Sequence, residues 1–269
     1  KYHNLQVWAR TSDSGLRHKV PFYISPKVWE NVRREGDNTL NKNCPFYEKC
    51  FYHRARKKWH QADIVVLNHS LFFANIASQG KLLPRFDVAL FDEAHSLENI
   101  VSEQFSFTLS YKNLKQIIAI FYDGKKSHNL EPLSSEKNKQ FLEEELAELG
   151  NRSLAFFEAM ADQANERPFR LSAAPGVGEQ LQKSLEDMVA VLERDLEKVK
   201  KEKGQGEIPE EYLPFQMGTQ RLSEWTTSLR EFLALADSKK VYWLEEIPSE
   251  ELSPGTHIQL RGAPIDIGG

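Results

Sequence analysis

The chain has 269 residues and a mass of 31.0 kDa, enough for one large domain or two small ones. Its formal net charge of −4 excludes a basic footprint over the whole chain, so any nucleic-acid binding must come from local patches. Two cysteines argue against a disulfide framework and indicate a reducing compartment such as the cytoplasm, and no apolar run is long enough to suggest a membrane partner.

The first sixty residues are mixed in composition and locally basic. The densest group of cations comes at their end, as Arg54, Arg56, Lys57 and Lys58, followed by Trp59. Cations can follow phosphates while an aromatic ring stacks on a base, so we predict a contact with single-stranded DNA here. A solvated basic helix face explains the same residues equally well.

Two apolar runs that end in polar side chains follow. Residues 62–67 have the pattern of a buried strand ending at Asn68 and His69, and residues 88–91 have the pattern of a second strand. Two such units about twenty-five residues apart favour an α/β nucleotide-binding core. Asn68 and His69 would then lie at its working edge, where they either face DNA or merely cap the next helix.

The second apolar run ends in Asp92, Glu93, Ala94 and His95. A buried parallel strand delivers acidic groups to a nucleotide-binding edge in this way. Asp92 would hold Mg²⁺ through water, Glu93 would polarise the water that attacks the γ-phosphate of ATP, and His95 would link the nucleotide site to the rest of a motor. The plainer alternative is an acidic helix N-terminus, which the helix dipole favours.

A nucleoside triphosphatase of this type also needs a phosphate loop of the form G-x-x-x-x-G-K-[S/T]. The sequence contains no such run, and the glycine pair at residues 175–179 lacks the Lys-Ser or Lys-Thr that should follow. The chain starts at Lys1 and not at Met. We therefore expect a fragment from downstream of a phosphate loop, inactive towards ATP when alone.

Residues 109–239 are helical in pattern. Apolar residues recur at steps of three and four over 181–196 and 222–233, and the runs at 117–121 and 141–149 also fit helices. Residues 198–207 are charged and contain glycine, which predicts a solvated hairpin tip. We expect a large inserted all-α subdomain whose apolar stripes form its core. Short strands at 241–244 and 257–260 then rejoin the α/β core, with Tyr242 and Trp243 mainly buried.

Four segments together resemble the DinG branch of the XPD-like superfamily 2 DNA helicases: residues 8–15, 43–69, 92–95, and 241–244 with 260–266. The resemblance implies part of a RecA-like P-loop motor domain, helix-rich overall. It divides the chain into an iron–sulfur-type region at 1–61, part of motor domain 1 at 62–108, a helical Arch-like insertion at 109–239, and strands returning to motor domain 1 at 240–269.

The same resemblance implies the activity of the parent protein. It would use ATP and Mg²⁺ to move 5′ to 3′ along single-stranded DNA and unwind duplexes, as in DNA repair. The partners would be single-stranded DNA and the remaining motor-domain segments of the parent chain.

Family members commonly hold a four-iron four-sulfur cluster on four cysteines. By resemblance, Cys44 and Cys50 take the last two positions, and Thr39 stands where the preceding cysteine would be. Two thiolates cannot complete such a cluster, so we expect none. Free, partly buried thiols are the expected state, and zinc held by both cysteines with a histidine such as His53 is the alternative.

Two other classes of function stay open at this point. One is a non-catalytic module that binds single-stranded DNA or a protein. The other is the motor part of a helicase-related nuclease, although the sequence offers no constellation of residues for nuclease chemistry.

Overall fold

A computed structural model describes residues 2–30, 32–34, 44–163, 168–202, 208–247 and 257–265. The chain forms two compact units, residues 1–90 and residues 91–269. The first unit contains four α-helices among its described residues: α1 (Tyr2–Thr11), α2 (Pro26–Glu30), α3 (Phe51–Trp59) and α4 (His69–Ala77).

Close packing joins the turn after α1 to the start of α3. Gly15 has a left-handed backbone with φ +66°, and a Cβ atom there would lie 2.3 Å from Cδ2 of Phe51. Only glycine satisfies both constraints at low cost. Ser12 helps to fix the turn, since its Oγ accepts from the Gly15 N–H at 3.1 Å.

The strands predicted at 62–67 and 88–91 are wrong for this structure. Residues 62–68 and 88–91 are irregular, and the side chains of Ile64, Val66, Val88 and Leu90 are 75–94% exposed. A parallel strand exists only beside a hydrogen-bonded neighbour. Among the described residues, no strand pairs with either segment, so the predicted α/β core is not formed there.

The second unit contains a four-stranded antiparallel sheet. Its strands are β1 (Phe107–Ser110), β2 (Phe169–Arg170), β3 (Lys240–Glu246) and β4 (Ile258–Pro264), in the spatial order β1-β4-β3-β2. Leu109, Leu260 and Leu244 lie opposite one another across three strands, and all three are buried. The two predicted terminal strands are thus confirmed, but they pair in an antiparallel sheet.

The described part of the second unit also contains five α-helices: α5 (Leu97–Gln104), α6 (Tyr111–Phe121), α7 (Glu136–Asp162), α8 (Glu179–Glu202) and α9 (Leu213–Ala234). The helix α8 packs against α7 and α9, and α6 packs against the same two. Helices cover the apolar face of the sheet and share one continuous core with it. None of the described helices is long and apolar enough to cross a membrane.

The predicted apolar stripes are confirmed as the core of these helices. On α8 the buried apolar residues include Leu181, Leu185, Met188, Val189, Leu192 and Leu196. The predicted hairpin tip begins later than expected, because α8 continues to Glu202. Ion pairs from Lys198 to Asp195 and from Lys200 to Glu197, each three residues apart, support its last turns. Residues 203–207 lie outside the described part.

Candidate nucleotide and DNA sites

The acidic motif forms a tight turn at the entrance to α5. Glu93 has a left-handed backbone (φ 49°, ψ 44°), and its N–H donates to Oδ1 of Asp92 at 2.8 Å. The carbonyl of Glu93 accepts from both the N–H and the Oγ of Ser96, at 3.0 and 2.9 Å. A non-glycine residue in this conformation is held by its surroundings at some cost, which is common at functional turns.

The three ionisable side chains of this turn, Asp92, Glu93 and His95, face solvent. Nδ1 of His95 lies 3.3 Å from Oε2 of Glu93, and these side chains are 79% and 70% exposed. A contact so exposed contributes little stability, so it leaves both groups free to take other partners. Asp92 and Glu93 offer oxygen ligands of the kind that Mg²⁺ uses alongside water and substrate phosphates.

Both cysteines lie in the segment that precedes α3. Both are free thiols of intermediate exposure, and Cys50 directly precedes the helix. Within the part of the chain that the structure describes, no three His, Cys, Asp or Glu side chains are grouped to hold a metal ion. Thr39, at the position of a missing family cysteine, lies outside the described residues.

His53 packs against an aromatic ring and lies near two cations. Its ring stacks on Tyr47 with centroids 4.1 Å apart. Burial and the nearby cations Arg34 and Arg56 lower the pKa of His53.

The predicted DNA-binding cations of α3 divide between two faces of the helix. Arg54, Lys57 and Lys58 are exposed, and none of them pairs with a carboxylate among the described residues. On the other side, Trp59 lines a cavity of about 270 Å³ whose other walls include Val65 and Leu83.

Arg56 points to this second side and bonds to the backbone. Its Nη2 donates to the carbonyl oxygens of Lys81 and Leu82, at 3.1 Å each. The Cζ atom of Arg56 also lies 5.8 Å from the ring centroid of Tyr52. The Cζ atom of Arg34 lies closer to the same centroid, at 3.7 Å. The sequence predicted four equivalent cations, whereas the structure leaves three of them facing solvent.

Asn68 caps α4, as the plainer prediction for this residue proposed. Its Oδ1 accepts from the N–H of Leu71 at 3.0 Å, and α4 begins at His69. A cap bonds through one oxygen only, so the exposed amide of Asn68 keeps its donors for another partner.

Sequence reasoning missed Asn75. It is 6% exposed within α4, and its Oδ1 accepts from the N–H groups of Leu82 and Leu83, at 3.0 and 2.9 Å. A signal was present, because an asparagine inside the apolar run 71–77 must find hydrogen-bond partners once buried.

Residues 31–114 match the DEAD_2 family. Among similar proteins are the ATP-dependent DNA helicases YoaA of Escherichia coli K12, 39% identical over 115 residues, and YoaA of Haemophilus influenzae, 43% identical over 83 residues. The ATP-dependent helicase DinG of Mycobacterium tuberculosis H37Rv is 33% identical over 99 residues.

These matches cover 41%, 29% and 36% of this chain, and 18%, 13% and 15% of the three relatives respectively. The chain thus matches less than a fifth of the length of each relative. The matched family segment contains Cys44, Cys50, the α3 cations and the acidic turn. The resemblance predicted from the sequence is therefore confirmed: this chain is similar to the DinG-like helicases of the XPD-like group.

Proposed function

We propose that this chain is part of the motor of an ATP-dependent DNA helicase that moves 5′ to 3′ along single-stranded DNA and unwinds duplexes. The observation that carries the proposal is the Asp92–His95 turn inside the DEAD_2 segment. Its two solvent-facing carboxylates are suited to Mg²⁺ and to an attacking water.

Each residue of the turn has a proposed role. Bound Mg²⁺ would supply charge neutralisation on the phosphates of ATP, and Asp92 would hold it through water. Glu93 would orient and polarise the attacking water, which requires its carboxylate to leave His95. His95 would pass the state of the nucleotide site to other parts of the motor.

The DNA site in this proposal combines α3 and the start of α4. Arg54, Lys57 and Lys58 would contact phosphates through the exposed face of α3. Asn68 and His69 would contribute polar contacts at the N-terminus of α4, where anions are favoured. A motor of this kind, with both cysteines as free thiols, would work in the reducing cytoplasm.

The remaining motor-domain segments of the parent protein are the proposed partners of the two unpaired runs. Exposed Ile64 and Val66 alternate with half-buried Val65 and Leu67. This is the two-residue period of a β-strand, in a segment that has no hydrogen-bonded neighbouring strand among the described residues. Apolar side chains so fully exposed mark a surface that another element covers. We propose that parallel strands elsewhere in the parent, with the phosphate loop, pair with 62–67 and 88–91.

The domain division predicted from the sequence is part of the proposal. Residues 109–239 would be the Arch-like insertion of motor domain 1, because β1 and β4 lie side by side on either end of this helical stretch. Residues 1–61 would be the iron–sulfur-type region without its cluster. An iron assay on anaerobically purified protein tests this, and near-stoichiometric iron would contradict it.

ATP hydrolysis by the parent protein tests the motor, with and without single-stranded DNA. We expect DNA-stimulated hydrolysis that Glu93→Gln lowers by about 100-fold or more, because the amide cannot accept a proton. Glu98→Gln, which changes an exposed carboxylate on α5, should stay within about twofold of wild type. Hydrolysis that survives Glu93→Gln would remove Glu93 from catalysis, and no hydrolysis by wild type would leave a DNA- or protein-binding module.

A further inference from the structure

Two side chains from different helices hold one short loop between them. Asn75 of α4 accepts from the N–H groups of Leu82 and Leu83, and Arg56 of α3 donates to the carbonyls of Lys81 and Leu82. In each of the two peptide groups that join residues 81, 82 and 83, a side chain thus bonds the carbonyl and another side chain bonds the N–H. We call Arg56, Asn75 and residues 81–83 the loop clamp.

The backbone on either side of residues 81–83 is also held in place, so the loop cannot easily adjust if α3 moves. Gln79 and Gly80, the two residues before it, have left-handed backbones with φ 57° and 77°, and the Gly80 N–H donates to the Asn75 carbonyl at 2.8 Å. Leu83, at its end, is buried. A displacement of α3 relative to α4 therefore has to move or break the bonds of the clamp.

The clamp connects the proposed DNA contacts to the chain that enters the nucleotide site. The exposed face of α3 carries Arg54, Lys57 and Lys58, while Arg56 on its other side holds the loop. Leu83 lies nine residues before Asp92 along the chain. A shift of α3 on binding phosphates would be passed through Arg56 to the segment that leads into the acidic turn.

We propose that Arg56 and Asn75 are positioning residues that couple single-stranded DNA binding at α3 to ATP hydrolysis at the acidic turn. Arg56 thereby takes a role distinct from that of its neighbouring cations, which contact DNA directly. The inference rests on the proposed motor function and adds to it the route of coupling.

The test measures ATP hydrolysis by the full-length parent protein as a function of oligo-dT concentration, which separates kcat at saturating DNA from the DNA concentration for half-maximal stimulation. Arg56→Met should lower the saturated kcat by about tenfold and leave the half-maximal concentration within about twofold. Lys57→Met removes the same charge from the adjacent residue and is the matched control. It should raise the half-maximal concentration severalfold, as the loss of a direct phosphate contact does.

Conservative variants separate coupling from charge and from folding. Arg56→Lys keeps the charge but places its only nitrogen one bond short of the position from which Nη2 bonds both carbonyls, so it should also lower the saturated kcat. Asn75→Asp keeps the accepting oxygen and should retain stimulation, whereas Asn75→Leu should lose it. Thermal melting of each variant establishes that it is folded, and Arg56→Lys provides the test if Asn75→Leu does not fold.

The outcomes are distinct. If Arg56→Met behaves like Lys57→Met, Arg56 is an ordinary phosphate contact and the coupling proposal is overturned. If Arg56→Lys is fully active, the charge and not the carbonyl bonding matters, which overturns it equally. If wild-type protein shows no DNA stimulation, the proposed function itself fails, and this is read from wild type before any variant is made.

Discussion

At the scale of single residues, Asp195 shows how the helical part of the second unit tolerates a buried charge. Its side chain is fully buried, and on α8 it belongs to the same buried face as the apolar stripe. Its two oxygens accept from Oγ of Ser134 at 2.6 Å, Nδ2 of Asn138 at 3.0 Å and Nζ of Lys198 at 2.9 Å. The carboxylate thus joins the start of α7 to the last turns of α8.

Removing this carboxylate should destabilise the fold. Asp195→Ala leaves the Ser134, Asn138 and Lys198 donors without their acceptor, so we expect the free energy of unfolding to fall by about 3 kcal/mol in urea titrations. Asp187→Ala, at an exposed position of the same helix, should change it by less than about 0.5 kcal/mol. Equal effects of the two variants would contradict the role given to Asp195.

The same carboxylate predicts a dependence of stability on acid pH. Burial opposes ionisation of Asp195, but the hydrogen bonds from Ser134, Lys198 and Asn138 prevail and lower its pKa from 3.8 to about 2. Its contribution is therefore present above pH 4 and is lost as the pH falls from about 4 to 2. The difference in Tm between wild type and Asp195→Asn should shrink across this range and stay constant between pH 5 and 7.

At the scale of elements, the close approach of α6 and α9 depends on a glycine in the middle of a helix. A Cβ atom on Gly218 would lie 2.4 Å from Cζ of Phe121, a buried ring of α6. Glycine is unfavourable in a helix interior, so its presence here follows from packing and not from helix propensity.

Two glycine substitutions should therefore have opposite signs. Gly218→Ala should lower the free energy of unfolding by about 1–3 kcal/mol, because the ring of Phe121 must shift in a packed core. Gly150→Ala on α7, where nothing lies within 4 Å of the added Cβ, should raise it by about 0.5–1 kcal/mol. Chemical denaturation of both variants measures the contrast, and a stabilising Gly218→Ala would refute the packing argument.

Elements also show where sequence reasoning succeeds. The helices α6 to α9 were predictable, because their apolar period is local and their buried face is supplied by neighbouring helices of the same unit. The runs at 62–67 and 88–91 have equally clear patterns and yet form no strands, since a strand depends on partners that its own sequence does not contain.

In the candidate site, the acidic motif could be recognised from four consecutive residues of the sequence, 92–95. The clamp was not, because Arg56 meets its carbonyl partners 25 and 26 residues away.

At the scale of the whole molecule, charge is divided very unevenly. Residues 1–90 contain 15 Lys and Arg against 7 Asp and Glu, a formal net charge of +8, while residues 91–269 contain 20 against 32, a net charge of −12. The overall value of −4 conceals this division. A polyanion such as DNA is therefore attracted to the first unit and repelled by the second.

This division predicts which cations determine the salt dependence of DNA binding. Replacing Arg54, Lys57 and Lys58 together by Ala in the parent protein should reduce the slope of log K against log salt by about 2, since each lost phosphate contact removes about 0.7 for single strands. The matched control replaces three exposed lysines of the second unit, Lys112, Lys139 and Lys183. It should leave the slope unchanged in fluorescence anisotropy titrations, and an equal loss would place the DNA contacts elsewhere.

The pairing of β1 with β4 has a consequence for how the protein is made. The two strands are neighbours in the sheet, yet roughly 150 residues separate them along the chain. At the elongation rates of ribosomes, β1 emerges on the order of 10 s before its partner has been synthesised. During that interval Leu109 can be covered only by elements already made, and α6, which follows β1 directly, contacts it in the finished fold. The sheet can therefore close only after α6 to α9, which lie between β1 and β4 in the chain, have been synthesised.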